Sequence, residues 1–326
     1  MNLALFDSNV HYVRYKGERR MDFKSWIPKF KKYEGNPVIQ PGDFKIGSKG
    51  IYNPSVIVKD DVFYLFSRYE EHDDVVTGRI AMAISMDGIH FSNMCCVLEP
   101  EFPYESKGCE DPRVVEIDGV YYMTYVGNSD KQKGHVCLAR SKNLYEWEKL
   151  GVTFEPQPEA WDNDQIKAGV LLPERFKNQF VMYFLGQREP WKTAIGIAYS
   201  EDLKVWREDE RNPILLPRKG FFDSKGVEPG PTPLIVEEGI LFMYNGWDEN
   251  HVHRTGVALL SKEDPAQVID RLDKPLLEPQ TPWEKEGVTR NVVFTEGLVV
   301  FKDIYYAYYG AADKCTCLAL GNKNGR

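Results

Sequence analysis

The amino-acid sequence predicts an all-β protein that folds as one five-bladed β-propeller. Three observations carry this prediction: a strand pattern that occurs five times, a second strand after each copy, and a spacing of close to 60 residues between copies. Repeats that each supply one small sheet are typical of propellers. A β-sandwich with accidental periodicity is the competing interpretation, and five matched copies argue against it.

The repeated element is an aromatic-rich strand that follows a polar or glycine turn. Short runs of β-branched and aromatic residues bounded by turn residues are typical of strands. The first residues of successive copies lie 58, 59, 61 and 64 positions apart. The five copies are Asp61–Arg68, Gly119–Val126, Asn178–Leu185, Gly239–Gly246 and Asp303–Gly310.

Each aromatic strand is followed by a second strand and preceded by another apolar stretch, as at Val114–Ile117. This gives about four strands per unit, the usual size of a propeller blade. Three units share a turn that begins at serine and closes on an aromatic ring: Ser85–Phe91, Ser141–Trp147 and Ser200–Trp206. We expect the closing ring to pack between neighbouring sheets.

The fifth unit ends near Leu320, one strand short of a full blade. We therefore predict that residues 1–50 form an N-terminal extension in which Leu3–Arg14 supply the ring-closing strand. Residues 51–326 then form the propeller, which is the predicted catalytic domain. The basic stretch Arg19–Lys32 is a candidate contact in a homo-oligomer.

Composition excludes several classes of protein. The net charge of −8 argues against nucleic-acid binding, which needs a basic surface. No run of 18 apolar residues indicates a membrane span. Six cysteines without zinc-ribbon spacing, and no apolar leader near Met1, favour a cytoplasmic protein with reduced thiols. No motif indicates a nucleotide, a metal or another cofactor, so we predict none.

The first strand of each propeller blade lines the central channel, and its first residues face one end. Aligning the repeats places one polar residue of each blade at this point, 58, 56, 61 and 63 positions apart. A polar ring around one axis suits a ligand site better than packing. The five positions are Asn53, Asp111, Lys167, Glu228 and Asn291.

Two further features of this ring point to sugar chemistry. The ends of the aromatic strands add Arg68, Tyr125, Asn245 and Asp313 to the same mouth. Two carboxylates across a polar pocket can cleave a glycosidic bond, one protonating the leaving oxygen while the other activates water or attacks the anomeric carbon. A separation of about 6.5–9.5 Å indicates inversion, and about 5 Å indicates retention. The expected ligand is a small oligosaccharide.

Several motifs recur in one order between about residue 50 and residue 315. They are Asn53–Pro54, Arg68, Glu110–Arg113, Leu172–Glu174, Gly230–Pro233, Glu284–Gly287, Asn291–Phe294 and Tyr308–Asp313. With these motifs the chain resembles glycoside hydrolase family 130, the β-mannoside phosphorylases and β-mannosidases. The resemblance implies a five-bladed propeller, which agrees with the repeats.

The resemblance also implies roles for individual residues. Asp111 matches the general acid of the family, which in its phosphorylases acts through the 3-hydroxyl of the sugar. Asn53, Arg68 and Asp313 match residues that hold the mannosyl unit. Glu110 and Arg113 flank the acid in the same motif and are assigned to substrate binding with them.

The departures from the family bear on the reaction. Phosphorylases of the family surround the incoming phosphate with basic residues, but here Lys167 replaces an arginine, Leu185–Gln187 replaces another, and Asn245 replaces a histidine. Glu228 stands where a small residue is usual, and a carboxylate repels phosphate but can activate water. The prediction is an inverting exo-β-1,2-mannosidase with Asp111 as acid and Glu228 as base. Glu296 is a second candidate for the base.

Three alternatives stay open. The first is a β-mannoside phosphorylase that releases mannose 1-phosphate with inorganic phosphate as co-substrate, held by Lys167, Arg188, His253 or Arg254. The second is a non-catalytic glycan-binding propeller, since rings and amides bind sugars without chemistry. The third is another five-bladed glycosidase, such as a furanosidase. All four interpretations place the protein in carbohydrate recognition or metabolism.

Overall fold

A computed structural model describes residue 23 and residues 27–72, 75–129, 134–156 and 158–322. Within these residues, five antiparallel sheets of four or five strands follow one another along the chain. They are the blades of a β-propeller, as the repeats predict. No helix in the described part of the chain is long and apolar enough to cross a membrane.

The first strand, β1 (Phe30–Lys32), precedes the first blade in sequence. In the first two blades each strand pairs with the next along the chain. A short 3₁₀ helix, Pro103–Glu105, lies between these blades. The strands are β2 (Gly50–Lys59), β3 (Val62–Glu70), β4 (Arg79–Ser85) and β5 (Ser92–Leu98), then β6 (Gly108–Ile117), β7 (Val120–Asn128), β8 (Gly134–Ser141) and β9 (Glu148–Val152).

The third blade has the same order, and the inner strand of the fourth is broken in two between Pro229 and Leu234. Pro231 and Pro233 have no N–H to donate to the neighbouring strand, which accounts for the break. The strands are β10 (Gln165–Leu171), β11 (Phe180–Glu189), β12 (Lys192–Ser200) and β13 (Arg207–Glu208), then β14 (Gly226–Pro229), β15 (Leu234–Val236), β16 (Gly239–Trp247), β17 (His253–Leu260) and β18 (Val268–Arg271).

The fifth blade contains strands from both ends of the chain. A short helix, α1 (Pro282–Lys285), leads into β19 (Val293–Phe301), β20 (Ile304–Ala311) and β21 (Cys315–Asn322). The outer strand is β1, which pairs with β21 in an antiparallel register. The predicted strand over Leu3–Arg14 lies outside the described residues. In the described chain, Phe30–Lys32 takes the outer place in this blade.

Apolar side chains fill the space between neighbouring blades. Five main clusters of buried residues occupy the five blade-to-blade contacts. The rings that close the serine turns belong to these layers: Trp147 packs edge-on against Phe66, with centroids 5.7 Å apart, and Phe91 packs against Tyr308 at 5.9 Å. The predicted packing of these rings between sheets is confirmed. All six cysteines are free.

Three of the segments that lead into an inner strand carry a buried carboxylate with the same two kinds of partner. In each, a tyrosine hydroxyl donates to the carboxylate, and a cation from the outermost strand forms an ion pair with it. Hydrogen bonds of this kind offset the desolvation of a buried ion pair. The three sets are Glu105 with Tyr125 and Lys149, Asp223 with Tyr244 and Arg271, and Glu284 with Tyr309 and Lys32.

The third blade departs from this arrangement. Asp162 lies five residues before Lys167, at the place that Asp223 has before Glu228, and it is fully buried. The outer-strand residue at the place of Arg271, however, is another acid, Glu208. Burial and then the neighbouring Glu208 carboxylate raise the pKa of Asp162 to about 7. The folded protein therefore keeps a proton on Asp162 that the unfolded chain loses at lower pH.

Asp162→Asn is expected to stabilise the protein increasingly as pH rises. The unfolded side chain ionises near pH ~4, so between about pH 4 and about pH 7 the folded state binds more protons and stability falls as pH rises. The amide removes this loss, and we expect the unfolding midpoint to rise by about 2–4 °C at pH 8. Thermal unfolding at pH 8 and pH 4.5 measures the effect.

The matched control is Asp223→Asn. It removes a carboxylate that pairs with Arg218 and Arg271, and it should destabilise the protein at both pH values. An equal effect of Asp162→Asn at the two pH values would show that Asp162 does not hold a proton in the folded state.

Candidate active site

A cavity of about 650 Å³ opens where the inner strands of the blades begin. Five of its polar residues lie on inner strands, at the channel position predicted for the site. Six of the predicted site residues line it. They are Asn53, Arg68, Asp111, Lys167, Glu228 and Asp313.

β-bulges set the positions of Asn53 and Asp111, two of the ring residues that precede proline. Asn53 and Asp111 have left-handed backbone conformations, with φ of 51° and 50°, at the register shifts of β2 and β6. Asn and Asp tolerate this conformation better than other side chains, which explains the residue types. The bulges turn both side chains into the cavity.

The pairing of neighbouring strands shows that the five ring residues do not all occupy the same position of the repeat. Lys167 pairs with Leu185 and Glu228 pairs with Asn245, which are the places that Glu110 and Val126 occupy in the second blade. Lys167 and Glu228 therefore come one position before Asp111 in the repeat. In the fifth blade this position is Phe294, opposite Gly310, so Asn291 lies three residues too early.

Three carboxylates meet beside the cavity. The closest oxygens of Asp111, Glu228 and Glu296 all lie within 4.8 Å of one another, and all three residues are buried. Nearest oxygens this close put the carboxyl groups at the short end of the ~6.5–9.5 Å found in a directly acting inverting pair. The predicted inversion fits this geometry where the acid acts through a hydroxyl of the sugar, because the acid and the base then need not flank the bond.

Arg113 holds this trio from behind. Its guanidinium donates to Glu296 at 2.5 Å and to the backbone carbonyls of Pro229 and Gly230 at 3.1 and 3.0 Å, and it lies 3.8 Å from Glu228. Arg113 is buried and does not line the cavity. The structure therefore does not bring Arg113 to the cavity surface as predicted, since its donors are engaged by protein groups.

Burial governs the protonation of two of the three acids. It raises the pKa of Glu228, against the opposing attraction of Lys167 and Arg113. It also raises the pKa of Glu296, to about 8, although Arg113 lies against it. Glu296 therefore holds a proton at neutral pH, and the trio carries less negative charge than three carboxylates.

The trio has the donor atoms of a cation site. Its charge, however, is already opposed by two cations: Lys167 lies 3.5 Å from Glu228, and Arg113 lies against Glu228 and Glu296. A divalent ion would need the proton on Glu296 to leave. The donor set therefore suits proton transfer better than metal binding.

Arg68 organises the other side of the cavity. It donates to the carbonyl of Thr77 and to Glu70 at 2.6 Å, and its second nitrogen lies 3.2 Å from Glu110 and 3.8 Å from Asp111. Glu110 accepts hydrogen bonds from Thr77 and Asn128 and does not line the cavity. Burial raises the pKa of Asp313, which accepts a hydrogen bond from Thr289.

Three predicted contacts with substrate lie elsewhere. Tyr125 packs between the first two blades, with its hydroxyl on Glu105. Asn245 is fully buried and pairs with the backbone of Thr295. Asn291 accepts a hydrogen bond from the His253 backbone and does not line the cavity. Alternate residues of a strand face opposite sides, so a shift of one position sends a side chain into the packing layer.

Four basic residues are candidates for binding phosphate. Lys167 and His253 line the cavity, and burial lowers the pKa of His253 to about 4, so its ring is neutral. Arg254 lies outside it, paired with Asp248 at 2.9 Å. Arg188 is exposed and also outside the lining. Lys167 is therefore the one of the four that brings positive charge to the cavity.

The cavity also contains polar and aromatic side chains that the repeats did not single out. Gln165 precedes Lys167 by two positions on one strand, so the alternation of side chains could have indicated it. The others sit on hairpins and strand ends whose contacts depend on the folded ring. These residues include Gln165, Gln187, Trp191, Thr193, Trp247 and Phe294.

Comparison with known proteins identifies similar enzymes. A 1,2-β-oligomannan phosphorylase of Thermoanaerobacter sp. (strain X514) is 37% identical over 303 residues, covering 90% of this chain and 97% of that enzyme. The structure of β-1,2-mannobiose phosphorylase from Listeria innocua, bound to β-1,2-mannobiose, matches with a TM-score of 0.78 at 25% identity, covering 91% of this chain and 97% of that chain. These relatives favour the phosphorylase alternative over the predicted hydrolysis.

A further solved structure comes from work on family 130 glycoside hydrolases that target β-1,2-mannosidic linkages in Candida mannan. It matches with a TM-score of 0.78 at 30% identity, covering 90% of this chain and 93% of that chain. The family 130 model, described as β-1,4-mannooligosaccharide phosphorylase, matches residues 18–324. The chain belongs to glycoside hydrolase family 130, a family of mannoside-processing enzymes.

Proposed function

We propose that the protein removes the terminal mannose of β-1,2-linked mannosides by hydrolysis. The linkage is that of the similar enzymes and of the Candida mannan hydrolases. One observation carries the choice of water over phosphate: Glu228 is a buried carboxylate on the cavity wall, 3.5 Å from Lys167. This carboxylate offsets the charge of the lysine and repels an incoming dianion.

In the proposed reaction Glu228 removes a proton from water as the water oxygen attacks C1 of the mannosyl unit. The bond from C1 to the leaving oxygen breaks, and that oxygen receives a proton that originates on Asp111. The proton passes through the 3-hydroxyl of the sugar, so the acid and the base need not flank the bond and the short separation of the carboxylates is allowed. Attack opposite the leaving group gives α-mannose, which is inversion.

Phosphorolysis is the second candidate, and the curated relatives favour it. A phosphate oxygen would attack C1 without a general base and release mannose 1-phosphate. Lys167 would attract the anion, with Gln165, Gln187 and Thr193 as neutral donors in the same cavity. This candidate requires Glu228 to be protonated when phosphate is bound, because the Lys167 charge is otherwise offset. Burial of Glu228 acts in that direction.

Product analysis on β-1,2-mannobiose, with and without inorganic phosphate, separates the two reactions. We expect free mannose as the only product, at rates that differ by less than about twofold with 10 mM phosphate. In the described part of the chain, the two cations that line the cavity, Arg68 and Lys167, already lie beside carboxylates and therefore attract an anion weakly. Proton NMR during the first turnovers should show α-mannose. β-1,4-Mannobiose serves as the linkage control and should react more slowly.

Each other outcome changes the proposal. Mannose 1-phosphate that forms only with phosphate would establish the second candidate and overturn hydrolysis. β-Mannose as the first product would make Glu228 a nucleophile, as the 4.8 Å spacing also allows. Binding without turnover on either disaccharide would identify a glycan-binding propeller.

A further inference from the structure

An exposed tryptophan stands at the mouth of the cavity. Trp191 lies in the two-residue turn between Glu189 and Lys192, at the tip of the β11–β12 hairpin. Its side chain lines the cavity, yet 55% of the residue is exposed, whereas Asp111 and Glu228 are 7% and 4% exposed. The difference in burial places Trp191 at the outer end of the cavity and the carboxylates at its inner end.

The backbone holds this ring in a conformation that costs free energy. Trp191 has a φ of 65°, in the left-handed region where a bulky residue is disfavoured by about 1–2 kcal/mol. A glycine would fit such a turn without strain. An exposed indole gains little from burial to offset this strain. A large ring in a strained, exposed turn points to a function of the ring itself.

A neighbouring histidine supports this position of the indole. His251, in the loop before β17 of the next blade, has a φ of 56°. Its ring meets the Trp191 indole edge-on, with centroids 5.0 Å apart and planes at 82°. This contact fixes the indole from one side and leaves a face of it available to the cavity.

We infer that Trp191 is the platform for the second sugar of the substrate, the one that leaves. This inference rests on the proposed function, which places the terminal mannose among the polar groups at the inner end. A sugar linked to that mannose then extends toward the outer end. An indole offers a large, rigid apolar face to the C–H groups of a pyranose ring, as aromatic side chains commonly do at binding surfaces. Trp191 would thus select a sugar leaving group.

The test compares two β-mannosides that differ in the leaving group. For Trp191→Ala we expect kcat/KM to fall roughly tenfold on β-1,2-mannobiose, since about 60 Å² of apolar contact corresponds to about one factor of ten. On methyl β-mannoside, whose leaving group has no ring, kcat/KM should change by less than about twofold. Trp191→Phe should keep most of the activity on the disaccharide.

Tyr145→Ala is the matched control, because Tyr145 is an exposed aromatic residue of the second blade that is 50% exposed and does not line the cavity. This substitution should leave kcat/KM unchanged on both substrates. Equal losses of kcat/KM on both substrates for Trp191→Ala would indicate a general effect on the site. No loss on either substrate would show that Trp191 does not bind the second sugar. Both outcomes overturn the inference. No cleavage of either β-mannoside by the wild type would instead contradict the proposed function.

Discussion

Asp111→Asn is expected to lower kcat on β-1,2-mannobiose by roughly 10²–10⁴-fold, the usual contribution of a general acid. The amide has nearly the same shape but no proton to give. The backbone carbonyl of Asp111, which accepts from Arg113 at 3.0 Å, is unchanged, so the position of the bulge should persist. KM should stay within about threefold of the wild-type value, because binding depends mainly on other groups.

A leaving group that needs no proton provides the specific readout. Aryl mannosides such as the 2,4-dinitrophenyl derivative depart as stable anions, so Asp111→Asn should lose far less activity on them. Asp313→Asn is the matched control: it alters a partly buried carboxyl of the same cavity and should act alike on both substrates. Equal losses on both substrates for Asp111→Asn would mean that Asp111 is not the acid.

The blades were predictable because their strands are local. Each aromatic strand pairs with the strand that follows it, so turn residues and alternation define the hairpin without knowledge of the rest. Asn53 and Asp111 were predictable for a related reason, since their residue types match a left-handed bulge. Lys167 and Glu228 lie one repeat position before Asp111, yet their side chains also line the cavity.

Other features depend on contacts that no local pattern contains. Arg113 and Glu296 are 183 residues apart in sequence and meet only because the ring closes. The end of an aromatic strand predicts that Tyr125 lies at the mouth of the cavity. Its side chain instead packs against the neighbouring blade. The role of Trp191 depends on a cavity and on a contact with His251 across two blades. These positions required the assembled propeller.

Glu228→Gln is expected to lower hydrolysis of β-1,2-mannobiose by roughly 10²–10⁴-fold, because the amide cannot accept the proton of water. The same change frees Lys167 from its carboxylate partner 3.5 Å away. Small anions should then enter the site more easily. Azide, which attacks without giving up a proton, should restore turnover and yield α-mannosyl azide, identified by NMR.

Glu296→Gln is the matched control, since Glu296 is buried in the same trio but does not line the cavity. Its raised pKa of about 8 means that it already carries a proton at neutral pH, so the amide should change kcat by less than about tenfold. If Glu296→Gln abolished hydrolysis and Glu228→Gln changed it little, Glu296 and not Glu228 would be the general base.

The same variant also decides between water and phosphate. If the wild type hydrolyses, Glu228→Gln loses that activity and gains turnover with azide or phosphate, because one carboxylate both activates water and excludes anions. If the wild type is a phosphorylase, Glu228 is protonated in the phosphate complex, and the amide should leave phosphorolysis within about threefold of its original rate. The two mechanisms thus predict different responses to Glu228→Gln: a large loss of hydrolysis, or a nearly unchanged rate of phosphorolysis. They differ because only hydrolysis requires the ionised form of Glu228.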